Sequence, residues 1–242
     1  MPLDARERLI VALDLPTVAA AEAMVSRLGE AVCFYKIGYQ LAFAGGLPFA
    51  AGLIAAGKQI FLDLKLHDIP ETVERAVAAA AAHGVRYLTL HAAGGPKMLA
   101  AAARRAELEN TGLTLLAITV LTSLDASDLR AVGVPADPSE QALRLAQLAH
   151  AEGIPGMVCS AAEVAALRSA LGPGAVLVTP GIRPQASTGV ADDQKRTGTP
   201  TSAIRAGSSL LVVGRPIRDA SDPAAAARAI SDEIQRASSA VA

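Results

Sequence analysis

The chain predicts an α/β protein, a (β/α)8 barrel of the TIM type forming a single domain over residues 1–242. Three observations predict it. Short aliphatic runs alternate eight times with helical patterns, at roughly 30 residues per unit. Those runs are continuously apolar, as strands are when both sheet faces are covered. Polar residues collect at the carboxyl end of nearly every run, where barrels carry their sites. A length of 242 residues suits one barrel. An open doubly wound sheet is disfavoured, because no Gly-x-Gly-x-x-Gly turn follows the first run.

Taken in order, Leu9–Leu15 is the first strand, with Asp14 near its end. Pro16-Thr17 opens a helix to Leu28, which Gly29 closes. Val32–Gly38 is the second strand and carries Lys36; a helix over Leu47–Ala56 follows. Gln59–Leu66 is the third strand, with its helix over Glu71–His83. Val85–His91 is the fourth, followed after Gly94-Gly95 by a helix from Pro96 to Glu107. Leu113–Leu121 is the fifth, ending at Thr122-Ser123; a longer connection then leads to a helix over Ser139–Glu152. Ile154–Ser160 and Ala175–Thr179 are the sixth and seventh, with a helix over Ala161–Leu171 between them. A polar loop, Ile182–Gly198, precedes a short helix from Thr199-Pro200 to Ala206. Ser209–Gly214 is the eighth strand, and Asp222-Pro223 begins the last helix. The loop is too long for a simple βα turn and reads as a functional segment.

Composition narrows the function classes. Hydrophobic residues are 52% and charged residues 19%, so a large core is expected. A net charge of −1 makes no electrostatic case for nucleic acid or an anionic membrane. Cys33 and Cys159 lie in apolar runs and read as small buried hydrophobes, with neither metal spacing nor a disulfide framework. With no signal-peptide core and no apolar run of spanning length, a soluble cytoplasmic protein is expected.

The most informative stretch is the third strand and the loop after it. Asp63 and Lys65 are two residues apart, so an unbroken strand points both to one face, opposite Leu62, Leu64 and Leu66. Charges inside so apolar a strand require partners. Asp68 follows in the loop before Pro70, which suits a first helical turn. A structural ion pair is the plain reading. Two carboxylates around one ammonium favour another, a lysine held charged and in position as a proton donor.

A phosphate signal is separate. Gly181 and Arg183 follow the seventh strand; Gly214 and Arg215 follow the eighth, where barrels commonly hold phosphate. Glycine lets backbone N–H groups approach the oxygens, and arginine matches them with paired donors. Gln194, in the long loop, can close over the phosphate. His91 either serves the site or anchors the Gly94-Gly95 turn; His67 reads as structural, and Asp192 and Asp193 as a solvated loop.

The stretch Asp63-Leu-Lys-Leu-His-Asp-Ile-Pro-Glu-Thr72 resembles the signature of the orotidine 5′-phosphate decarboxylase family. So do Val11–Asp14, Lys36–Gly38, Leu121–Ser123, Thr179–Pro184 and Val213–Ile217, in family order along nearly the whole chain. Glu71 stands where the family often carries Asn; a carboxylate is comfortable in a helix's first turn. The resemblance implies decarboxylation of orotidine 5′-monophosphate to uridine 5′-monophosphate in pyrimidine synthesis, without cofactor or metal. It implies Lys65 as the proton donor within a Lys-Asp-Lys-Asp array of Lys36, Asp63, Lys65 and Asp68. It further implies that Asp14 and Lys36 meet the ribose, and that Thr122 and Ser123 face the pyrimidine. Asp63 lies by the substrate carboxylate, Arg183, Gln194, Gly214 and Arg215 take the phosphate, and Ile69, Thr72 and Pro180 complete the pocket. The implied assembly is a homodimer with Asp68 completing the partner's site.

Two rivals stand beside this reading. A sister barrel, such as a hexulose-phosphate synthase or a keto-gulonate-phosphate decarboxylase, uses the same acids to bind Mg²⁺. Ile69–Thr72 and the Arg183-Pro184 loop favour the orotidylate enzyme. A non-catalytic nucleotide-binding barrel would have no use for the charge array.

Overall fold

The computed structural model describes residues 4–184 and 197–240. Eight parallel strands close into a barrel in sequence order, the first pairing with the eighth. They are β1 (Leu9–Ala12), β2 (Phe34–Gly38), β3 (Gln59–Leu66), β4 (Tyr87–His91), β5 (Thr114–Ile118), β6 (Gly156–Val158), β7 (Val176–Thr179) and β8 (Leu210–Val213). The helices are α1 (Val18–Leu28), α2 (Tyr39–Leu41), α3 (Leu47–Ala55), α4 (Pro70–Ala82), α5 (Gly95–Glu109), α6 (Ala126–Ala131), α7 (Pro138–Ala151), α8 (Val164–Leu171), α9 (Pro200–Arg205), α10 (Arg215–Arg218) and α11 (Pro223–Ser239). No helix among the described residues is long and apolar enough to cross a membrane.

Most strands are shorter than their apolar runs, because a run continues past the last ladder bond into the core. Leu13 is fully buried although β1 ends at Ala12, so Asp14 stands on the loop beyond it. Three short helical pieces escape the apolar pattern. They are α6, capped at both orphan donors by the Asp125–Asp128 box, α10, and α2 with the wide turn Ala42–Gly46 that follows it. The alternation is therefore not one helix per strand.

Two apolar regions make most of the core among the described residues, with a small third cluster of Val120, Leu129 and Ala142. Between sheet and helices lie residues such as Val11, Leu62, Val77, Leu99, Ile217 and Ile234. Inside the barrel lie Ile10, Ala12, Phe34, Phe61, Tyr87, Leu116, Val178, Leu210 and Val212. The inner set holds three rings: Phe34 stacks on Tyr87 at 5.6 Å, and Phe61 meets Tyr87 edge-on at 6.3 Å. Strand alternation then places Lys36 one step above Phe34, and Asp63 one step above Phe61. The charged layer thus rests on an aromatic floor.

At the opposite end, Arg8 ties the two ends of the chain together and Arg168 joins α8 to the segments before β7 and β8. Arg8 donates to the Ser208 and Ser209 carbonyls and to Ser238 Oγ, at 2.6, 3.0 and 2.6 Å. Arg168 donates to the carbonyls of Gly172, Ala175 and Gly207 at 2.8 Å each.

β3 departs from the unbroken strand that the sequence predicts. It pairs Leu62 with Leu88 and then Leu66 with Leu90, so four steps on β3 run against two on β4. The surplus is absorbed at Lys65, whose φ of +44° is left-handed, an uncommon and costly conformation for a lysine. Thr89, buried mid-strand on β4, fills the gap in the ladder: its Oγ accepts Lys65 N–H at 2.9 Å and donates to Asp63 Oδ1 at 3.1 Å.

Candidate active site

A cavity of about 640 Å³ opens at the carboxyl ends of the strands. Its walls include Asp14, Lys36, Asp63, Lys65, Thr122, Pro180, Arg183, Gly214 and Arg215, brought together from β1, β2, β3, β5, β7 and β8 and the loops after them. Every one of these was a candidate from sequence.

The centre is a chain of alternating charge. Lys36 Nζ lies 2.9 Å from Asp14 Oδ1 and 3.4 Å from Asp63 Oδ2; Lys65 Nζ lies 2.8 Å from Asp63 Oδ1. The Lys36 and Asp63 side chains are 10% and 14% exposed, so their interaction is little screened, whereas Asp14 is 47% exposed and contributes less. Burial would lift the Asp63 carboxyl, but Lys36 and then Lys65 hold it below the ordinary carboxylate range. Burial would likewise depress Lys36, and Asp63 and Asp14 together reverse this and hold it above its usual value. Gly38 makes room for the pairing, since a Cβ there would lie 3.1 Å from Lys36 Nζ and 3.3 Å from Asp14 Oδ1.

Asp68 does not complete this array within its own chain. It is exposed, and its Oδ1 accepts the Ile69 N–H at 2.6 Å, because the loop turns outward to start α4 at Pro70. Within one chain the Lys65 ammonium therefore pairs with one carboxylate, Asp63, and the end acid of the array is Asp14. Ile69 and Thr72 are exposed beside Asp68, and Ser123 is exposed beyond Thr122; none of the three lines the cavity. Gln194 lies outside the described residues, as do Asp192 and Asp193. The loop that carries them is tied at its base: Ile182 bridges Gly198, and Arg183 N–H donates to the Gly198 carbonyl at 2.8 Å.

His91 ends β4, directly before the Ala92–Gly94 turn, and does not line the cavity. Its ring lies 5.3 Å from that of His67, which packs near Gly94, and burial, then His67 and Lys65, lower its pKa.

Four further residues belong to the site and were not singled out from sequence. Thr89 was visible as a hydroxyl set between the two leucines of β4. Tyr39 and Gln40 follow directly on Gly38 and line the cavity. Arg218 also lines it and donates to the Asp14 carbonyl at 2.7 Å; its three-residue spacing from Arg215 was the available signal.

The profile of the orotidine 5′-phosphate decarboxylase / HUMPS family matches residues 7–230. An orotidine 5′-phosphate decarboxylase of Rhodopseudomonas palustris is 53% identical over 236 residues, covering 96% of this chain and 97% of that protein. One from Anaeromyxobacter dehalogenans is 52% identical over 225 residues, covering 93% and 97%. Among solved structures, the orotidine 5′-phosphate decarboxylase of Lactobacillus acidophilus superposes with a TM-score of 0.82 at 38% identity, over 93% of this chain and 98% of that one. With its barrel, its decapeptide and a profile match over nearly its whole length, the chain belongs to the orotidine 5′-phosphate decarboxylase / HUMPS family.

Proposed function

We propose that this protein decarboxylates orotidine 5′-monophosphate to uridine 5′-monophosphate in pyrimidine synthesis, with Lys65 as the proton donor. The observation that carries the reading is the Asp14–Lys36–Asp63–Lys65 chain of alternating charge, seated over an apolar floor. The relatives at 52–53% identity, all named for this activity, support it.

The chemistry explains why such an array is needed. The bond from C6 to the carboxylate breaks, carbon dioxide leaves, and the electron pair remains on C6 in the ring plane. A cation fixed beside C6 stabilises that pair as it forms, in a site whose dipoles need no reorganisation. Lys65 then transfers an N–H proton to C6 and regains one from water. Asp63 holds the ammonium in place and faces the substrate carboxylate. Lys36 and Asp14 meet the ribose hydroxyls, and Thr122 the pyrimidine. Gly181, Arg183, Gly214 and Arg215, on the two loops where barrels commonly bind phosphate, take the phosphate.

Asp68 enters from the partner of a homodimer in this reading. It supports the proposal that Asp68 faces outward beside Ile69, an apolar residue 64% exposed at the point where a partner would sit.

The test is the loss of orotidylate absorbance with purified protein in excess EDTA. Turnover at an unchanged rate is expected. Dependence on added Mg²⁺ would move the chain to the metal-dependent side of its family, and binding of uridylate without turnover would make it a non-catalytic barrel.

A further inference from the structure

Lys65 carries the proposed chemistry on a backbone conformation that lysine rarely adopts, and something must hold it there. One side is pinned by Thr89, which accepts the Lys65 N–H. The other side is pinned by Tyr39. Its hydroxyl donates to the Leu64 carbonyl at 2.9 Å, and its ring lies 5.6 Å from Lys65 Nζ, within the range of a cation–π contact. The ring itself is braced by Phe43, stacked on it at 6.1 Å across the turn after β2. Tyr39 is half-exposed, and its phenol is un-ionised at neutral pH and so remains a donor.

We propose that Tyr39 is a positioning residue for Lys65: the hydroxyl fixes the left-handed turn at Leu64–Lys65, and the ring confines the ammonium over the cavity. The proposal rests on Lys65 being the proton donor. Its effect falls on the chemical step, since Tyr39 holds the donor.

The experiment compares Tyr39→Phe and Tyr39→Leu with the wild type in the intact protein. Tyr39→Phe removes the hydroxyl and keeps the ring. It is expected to lower kcat roughly three- to tenfold, the range of one net hydrogen bond. KM and uridylate affinity stay within about twofold, because an interaction felt in the transition state is the one lost. Tyr39→Leu removes both contacts and lowers kcat further, with Phe as its partial rescue. Amide hydrogen exchange reads the same effect without substrate: the Lys65 N–H exchanges faster in both variants, while the floor strands at Phe34 and Phe61 do not change. Unchanged exchange at Lys65 in Tyr39→Phe overturns the proposal whatever the activity. So does a parallel loss of kcat and uridylate affinity, which would make Tyr39 a general wall of the cavity. Absence of turnover in the wild type would instead defeat the decarboxylase reading, and the exchange result would still decide the positioning role. If Tyr39→Leu does not fold, Tyr39→Phe alone decides.

Discussion

Replacing Asp63 by Asn tests the charge array directly. The wild-type carboxylate lies 2.8 Å from one ammonium and 3.4 Å from another. At an effective dielectric of about 20, these distances give gross attractions of about 6 and about 5 kcal/mol, much of which offsets the desolvation of three charges. Removing one member of a buried pair generally costs about 3–5 kcal/mol, because the remaining charge is left without compensation. Asn keeps an oxygen for the Thr89 hydroxyl, so that bond need not be lost. Against a typical stability of about 5–15 kcal/mol, the variant should still fold, with its melting temperature lowered by about 6–20 °C. The sign with pH follows from the shifted groups. Asp63 is depressed in the folded state, so its contribution is fully present above the ordinary aspartate value of about 3.9 and is lost as pH falls through its lower folded value. Lys36 is raised, so its contribution is present below about 10.4 and is lost as pH rises through its higher folded value. Urea unfolding of both proteins from pH 3 to 10 should show a deficit that is full near neutrality and narrows toward acid. A deficit under about 1 kcal/mol at pH 7, or one unchanged below pH 4, would refute the view of Asp63 as the shared counter-charge.

Three further outcomes are expected. Arg215→Ala should lower kcat/KM for the nucleotide at least about tenfold more than for the phosphate-free nucleoside, and equal losses would remove Arg215 from the phosphate site. Lys65→Ala and Asp68→Ala, each nearly inactive alone, should recover activity when dissociated, mixed and reassociated, since one site of a mixed dimer then keeps both groups; no recovery with mixed dimers formed would rule out sharing. Stability should fall as pH drops below about 6.5, because the unfolded chain takes up a proton that His91 resists; His91→Gln should flatten that slope in urea titrations at pH 5 to 8.

Much of the site could be read from the sequence, and for a common reason. Asp14 and Arg215 stand just past strand ends, Lys36 and Asp63 lie within β2 and β3 facing into the barrel one step above the floor, and barrel closure makes such positions converge. What escaped depends on register rather than pattern. The two extra residues on β3 that turn Lys65 left-handed leave no mark in an apolar run, since Leu64 and Leu66 remain partly buried against the core either way. Thr89 became meaningful only once that gap in the ladder was known. Sequence distance put Asp68 near Lys65 without saying to which chain's site it turns; within its own chain it faces outward, three residues beyond Lys65 and just before α4. Arg218 acts on the carbonyl of Asp14, a contact across 204 positions that no local spacing encodes.

The closing of β1 against β8 bears on how the chain comes to fold. Leu9 pairs with Leu211 and Val11 with Val213, and Arg8 reaches residues 200, 201 and 230 positions away. Contacts so distant in sequence must be made after a large loss of chain freedom, and they slow folding. Until residue 213 has left the ribosome, the β1 edge and the aromatic floor lie open on one side. Nascent chains are then most exposed to edge-to-edge association, and a truncation that removes β8 leaves them permanently in that state. Arg8, joining the first strand to the loop before the last and to α11, is a latch that can engage only when synthesis is nearly complete.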